Sequence, residues 1–132
     1  MSQPKIKVDV LTLDSVQCAA CTYMLETLAA MPGDIQELIE YREWSIKTTT
    51  GVQKFAELKG RVLPTICIEG EPVFESTIPQ YEELIDELAK RAPNPEMRQQ
   101  LLAAREVGFN FDAIEENLKK AGAGLFTQRE KK

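Results

Sequence analysis

Between residues 6 and 13 apolar and polar positions alternate, with Ile6, Val8 and Val10 set against Lys7 and Asp9. A two-residue period marks a strand with one buried face. Asp14 and Ser15 break it. The period then lengthens: Cys21, Met24, Leu25 and Leu28 are spaced i, i+3, i+4, i+7 and line one face of a helix running to Met31. Pro32-Gly33-Asp34 stops that helix. Ile35 and Leu38 suit a short helical or irregular piece, and 39–46, rich in aromatic and β-branched residues, a second strand. Thr50 with Gln53 forms a capping box for a helix whose apolar face is Val52, Phe55, Ala56 and Leu58 and whose stop is Gly60. Two β-rich runs between 61 and 75 flank Glu69-Gly70-Glu71, a hairpin with glycine at the turn. Thr77 with Gln80 caps a helix buried through Ile78, Tyr81, Leu84, Ile85 and Leu88.

Residues 5–92 therefore read βαβαββα, an α/β arrangement. A C-terminal helical extension follows. Asn94 caps a helix with Pro95 at its first position, carrying Met97, Leu101, Leu102 and Ala104 and ending near Gly108. A second helix, with Phe111, Ile114 and Leu118 on one side, stops at Gly122. These apolar faces need cover, either on the core or, alternatively, in a homodimer or on a partner. Ala123, Gly124, Leu125 and Phe126 are candidates to dock, and 127–132 is expected to be a disordered tail.

The chain of 132 residues has a net charge of −5, which argues against nucleic acid and anionic membrane as partners. No run reaches the length of a membrane-spanning helix, and no apolar leader precedes the first strand, so a cytoplasmic, thiol-reducing setting is expected. There is no His and there are three Cys.

Two of those cysteines form Cys18-Ala19-Ala20-Cys21, after Gln17 and between the first strand and the first helix. That placement sets Cys18 at a helix N-terminus, where unpaired N–H groups and the helix dipole favour a thiolate. Cys21 is one turn further along, close enough to close a small disulfide loop. Half a zinc site and a pair of small core residues are the competing readings. Zinc takes four N or S ligands, and with only Cys67 left a closed site would need carboxylates or a second chain. No metal site is expected. Cys67, between Ile66 and Ile68, reads as a small buried hydrophobe, with a regulatory thiol as the alternative. Trp44 reads as half-buried packing more readily than as a recognition aromatic.

The C-x-x-C at the first helix, Leu63-Pro64-Thr65 at the head of a strand, the Gly70 hairpin and Pro79 at the cap of the last core helix together resemble the thioredoxin-like superfamily. The branch it resembles is that of small prokaryotic thioredoxin/glutaredoxin-like proteins. The resemblance implies a three-layer thioredoxin-like domain over 1–92, with 93–126 as a helical extension. It implies Cys18 as the attacking thiolate, Cys21 as the resolving thiol, and Pro64 as a cis-proline packed against their disulfide. It also implies that Leu63, Pro64 and Thr65 bind substrate, the Leu63 backbone pairing with an extended segment. Gln17 and Ala19-Ala20 depart from the family's usual Trp and Gly-Pro. Thr12 stands where many members carry a buried Asp, and cannot act as a base at neutral pH. No Lys or Arg lies within ten residues of Cys18.

The function implied is reduction of partner disulfides by dithiol exchange, with no cofactor beyond the Cys18–Cys21 disulfide. Partners would be a disulfide-containing or thiol protein and a separate reductase, since no dinucleotide fingerprint is present. The alternatives are a non-catalytic adapter using the helical extension, and a thiol carrier of a soft metal ion.

Overall fold

The computed structural model describes residues 5–13 and 18–120. Asp14, Ser15, Gln17, Gly122, the docking candidates 123–126 and the tail 127–132 lie outside the described residues. A four-stranded mixed sheet makes this an α/β protein. Its central strand β1 (Ile6–Thr12) runs parallel to β2 (Ile39–Ser45) and antiparallel to β3 (Thr65–Ile68), and β3 pairs with β4 (Glu71–Glu75). The strand order is β2-β1-β3-β4. Glu69 and Gly70, both at positive φ (51° and 85°), turn the β3–β4 hairpin where the sequence placed it.

Strand alternation decides what each face carries. Ile6, Val8 and Val10 face α1 (Ala19–Ala29) and α4 (Tyr81–Lys90), and are buried in one cluster with Met24, Leu25, Leu28, Leu84, Ile85 and Leu88. Each such side chain contributes about 2 kcal/mol through burial. The opposite face of β1 carries Lys7, Asp9 and Leu11. Trp44 stands beside them, its indole N–H donating to Asp9 Oδ1 at 2.8 Å. Against this face lies α3 (Thr49–Glu57), whose Lys54 ammonium is 5.1 Å from the Trp44 ring centroid. Trp44 is half-buried packing, as its size suggested.

Helix ends differ from the local pattern in three places. Thr48, two residues before the Thr50–Gln53 box, caps α3 by accepting from the Gly51 N–H at 3.0 Å. Gly51 is buried against β2, and a Cβ there would lie 1.7 Å from the Ser45 carbonyl oxygen, so close approach requires glycine. Val52 consequently faces solvent, outside the apolar face assigned to it. Helix α3 ends at Glu57, and Lys59, not Gly60, takes the left-handed conformation (φ 58°), while the Phe55 ring occupies the space a Gly60 side chain would need. Helix α4 starts at Tyr81, with the Gln80 N–H donating to Glu83 Oε1 at 3.0 Å, so Thr77 is no cap. Ile78 lies before this helix and is exposed, not part of its buried stripe.

The C-terminal extension covers the α1/α4 face. Helix α5 (Pro95–Ala103), capped by Asn94 accepting from the Met97 N–H, buries Met97 and Leu101. Leu102, expected on the same face, is exposed. A 3-10 turn, Ala104–Glu106, places the Ala104 carbonyl as acceptor of the Tyr81 hydroxyl, and Arg105 grips Asp86 of α4 through two bonds of 3.0 and 3.1 Å. After Gly108 (φ 90°), a 3-10 turn Phe111–Ala113 leads into α6 (Ile114–Lys120). The open carbonyls at the end of α1 draw in donors from two sides. Gln36 of α2 (Gly33–Gln36) donates to Leu28 O and Met31 O, Asn117 of α6 to Ala29 O, and the Asn110 N–H to Ala30 O. Ile114 and Leu118 pack on the core, whereas Phe111 remains exposed. Among the described residues no helix is long and apolar enough to cross a membrane.

Candidate functional site

Ala19, Ala20, Met24, Leu25 and Glu26 are strong helix formers, and the chain enters α1 through Cys18 in an extended conformation (φ −107°, ψ 107°). Cys18 is the N-cap. Its Sγ accepts from the Cys21 N–H at 3.2 Å, and its carbonyl accepts from the Thr22 N–H at 3.0 Å and the Thr22 hydroxyl at 3.2 Å. Caps are ordinarily oxygen side chains, and a neutral thiol is a weak acceptor there. Burial separates the two sulfurs: Cys18 is half-buried and Cys21 has no exposed surface. None of the three cysteines is joined in a disulfide in this structure.

The remaining sequence candidates collect at the same end of the sheet. Leu11 pairs with Thr65 in antiparallel register, which sets Pro64 level with Thr12, six positions before Cys18. The Leu63–Pro64 peptide bond is cis. The Pro64 carbonyl accepts from the Ser76 N–H at 2.7 Å, which ties the loop ahead of β3 to the end of β4, and the Thr65 hydroxyl donates to Val62 O at 2.9 Å within that loop. Leu63 is half-buried; Pro64 and Thr65 are buried. The structure thus brings Cys18 and Cys21 into direct hydrogen-bonded contact and places residues 63–65 at their end of the sheet by register.

Cys67 is elsewhere. It pairs with Asp9 and therefore points to the α3 face, opposite the α1 core. Burial pushes its thiol up to about 11, Asp9 and Glu75 adding to the rise against Lys54. It has no exposed surface.

Two features escaped the local sequence pattern. The Thr12 hydroxyl, fully buried, donates to Glu43 Oε2 at 2.8 Å, bringing a carboxylate to the end of β1. Only the parallel register, in which Glu43 pairs with Val10 and Ser45 with Thr12, reveals it. The second is a cluster of exposed apolar side chains beside α1, to which Tyr23, Ile78 and Phe111 contribute. The misplaced start of α4 concealed Ile78. Among the described residues no group of three or more Cys, Asp and Glu side chains could hold a metal ion.

Comparisons with family models, with curated proteins and with solved structures return no match.

Proposed function

We propose that this chain is a thioredoxin-like thiol–disulfide oxidoreductase of the cytoplasm, reducing disulfides of partner proteins through Cys18 and Cys21. The observation that carries the proposal is the Cys21 N–H aimed at a half-exposed Cys18 Sγ, at 3.2 Å, on the first turn of a helix. The element order around it, the cis Leu63–Pro64 bond at the same end of the sheet, and the β3–β4 hairpin support it. Residues 63–65 would receive the partner's extended backbone.

The Cys18 thiolate attacks one sulfur of the partner disulfide. A mixed disulfide forms, the partner's S–S bond breaks, and its second sulfur leaves as a thiolate that takes a proton from water. Cys21, buried one turn on and out of the partner's reach, then gives its proton to water and attacks Cys18 Sγ. The Cys18–Cys21 bond forms, the mixed disulfide breaks, and the partner departs with both cysteines reduced. Two electrons have moved from the pair to the partner, and a separate reductase or an added dithiol must return them. The difference in exposure supports these roles, because the half-exposed sulfur is the one able to meet a disulfide on another molecule.

Turnover of insulin disulfides with dithiothreitol as electron source tests the proposal. The native chain accelerates reduction, and Cys18→Ser and Cys21→Ser each abolish the acceleration. A chain without activity, or a Cys18→Ser variant that retains it, overturns the reading.

A further inference from the structure

Along the outer side of α1 runs a groove of about 330 Å³, lined by Tyr23, Glu26, Ile78, Phe109, Phe111 and Ile114. Its floor is fixed: Phe109 meets Tyr81 edge-on with ring centroids 5.0 Å apart, and Ile114 packs on the core. Its rim is open. Tyr23 is 55% exposed, Ile78 39% and Phe111 69%, with the Phe111 ring 5.6 Å from Phe109. Three large apolar side chains left in water around one groove are a binding surface more often than an accident. Phe109, Phe111 and Ile114 come from the extension beyond α5, which nothing in the exchange chemistry requires.

We propose that this groove is a specificity subsite for the partner, resting on the exchange reaction described above. The partner it fits is an extended protein segment with a large apolar side chain near its reacting cysteine and a Lys or Arg further on. Distance and charge set that pattern. Tyr23 lies five residues along α1 from Cys18, about 7.5 Å at 1.5 Å per residue. An extended segment covers that in about two residues at 3.3 Å each. Glu26 lies eight residues from Cys18, about 12 Å along the helix, or about four residues of extended chain. It is the groove's only charged residue, and no cation among the described residues pairs with it. A basic side chain on the partner meets it. A small anionic disulfide finds no cation there.

The test uses the full chain and two synthetic peptides. One carries Phe two residues and Lys four residues from its cysteine; the other has Ser and Glu at those positions. Binding is read with Ser in place of the peptide cysteine, so that no exchange occurs, and reduction is read with the cystine forms. The native chain binds the Phe/Lys peptide about tenfold more tightly and reduces it faster by a similar factor. Phe111→Ser, at an exposed position, and Glu26→Gln each bring the binding ratio of the two peptides towards one. Equal binding of both peptides by the native chain, or a preference that survives both variants, overturns the subsite. Reduction of hydroxyethyl disulfide by the native chain reads the exchange chemistry separately. Its absence together with selective binding leaves the groove standing and sinks the oxidoreductase.

Discussion

The tip of α1 and the middle of β3 each hold a cysteine, and the two differ in exposure and in what surrounds the sulfur. Cys18 is half-buried, caps a helix and accepts a backbone N–H. Cys67 is sealed within the sheet, opposite Asp9, with its thiol pushed up to about 11. One setting offers the sulfur to solvent; the other seals it away and holds its proton on. A C-x-x-C spacing therefore matters here through the helix terminus it occupies.

The contrast can be broken most sharply by alkylation of the native protein with iodoacetamide near neutral pH. Cys18 reacts faster than Cys67 by about a hundredfold or more, read by peptide mass spectrometry over time. Comparable rates would remove the distinction. Gly51→Ala sharpens it from the other side. The new methyl meets the Ser45 carbonyl and prises α3 from the sheet face that holds Cys67. Urea unfolding is expected to show a loss of about 2 kcal/mol. Cys67 should become easier to alkylate while Cys18 does not change.

A pH effect follows from the same burial. An exposed thiol in the unfolded chain ionises near 9.0, whereas Cys67 in the folded chain holds its proton to about 11. Between those values the unfolded state binds fewer protons, so this group lowers stability as pH rises from 9.0 towards 11 and does nothing below that window. Thermal unfolding across the window should fall more steeply for the native chain than for Cys67→Ala; parallel curves would mean that Cys67 is not buried as described. The smallest effect belongs to Thr12→Val, which keeps the shape but removes the hydroxyl donated to Glu43. A loss of about 1 kcal/mol in urea is expected. No change would show that the bond contributes nothing at the end of β1.

Much of this was legible in the sequence because strong periodicity is local. The alternation in β1, the i, i+3, i+4 stripe of α1 and the Gly70 turn each follow from a few neighbouring residues. Helix starts were less legible. Thr48 and Thr50 are equally good caps by composition, and the choice fell to Thr48 because Gly51 must lie against Ser45, a contact between elements. The C-x-x-C and the proline at the head of β3 were visible as residues, while the placing of that proline level with the end of β1 needed the antiparallel register of Leu11 with Thr65. Glu43 and the groove residues were out of reach for the same reason. They come together through strand pairing and the return of the C-terminal helices, and no window of adjacent residues contains that information.

The role of Cys18 is tested most directly by trapping. The Cys18→Ser and Cys21→Ser variants are each mixed with a disulfide-containing protein and resolved under non-reducing conditions. Cys21→Ser accumulates a covalent complex joined through Cys18, and Cys18→Ser accumulates none. Equal trapping by both variants, or a complex joined through Cys67, would contradict the account.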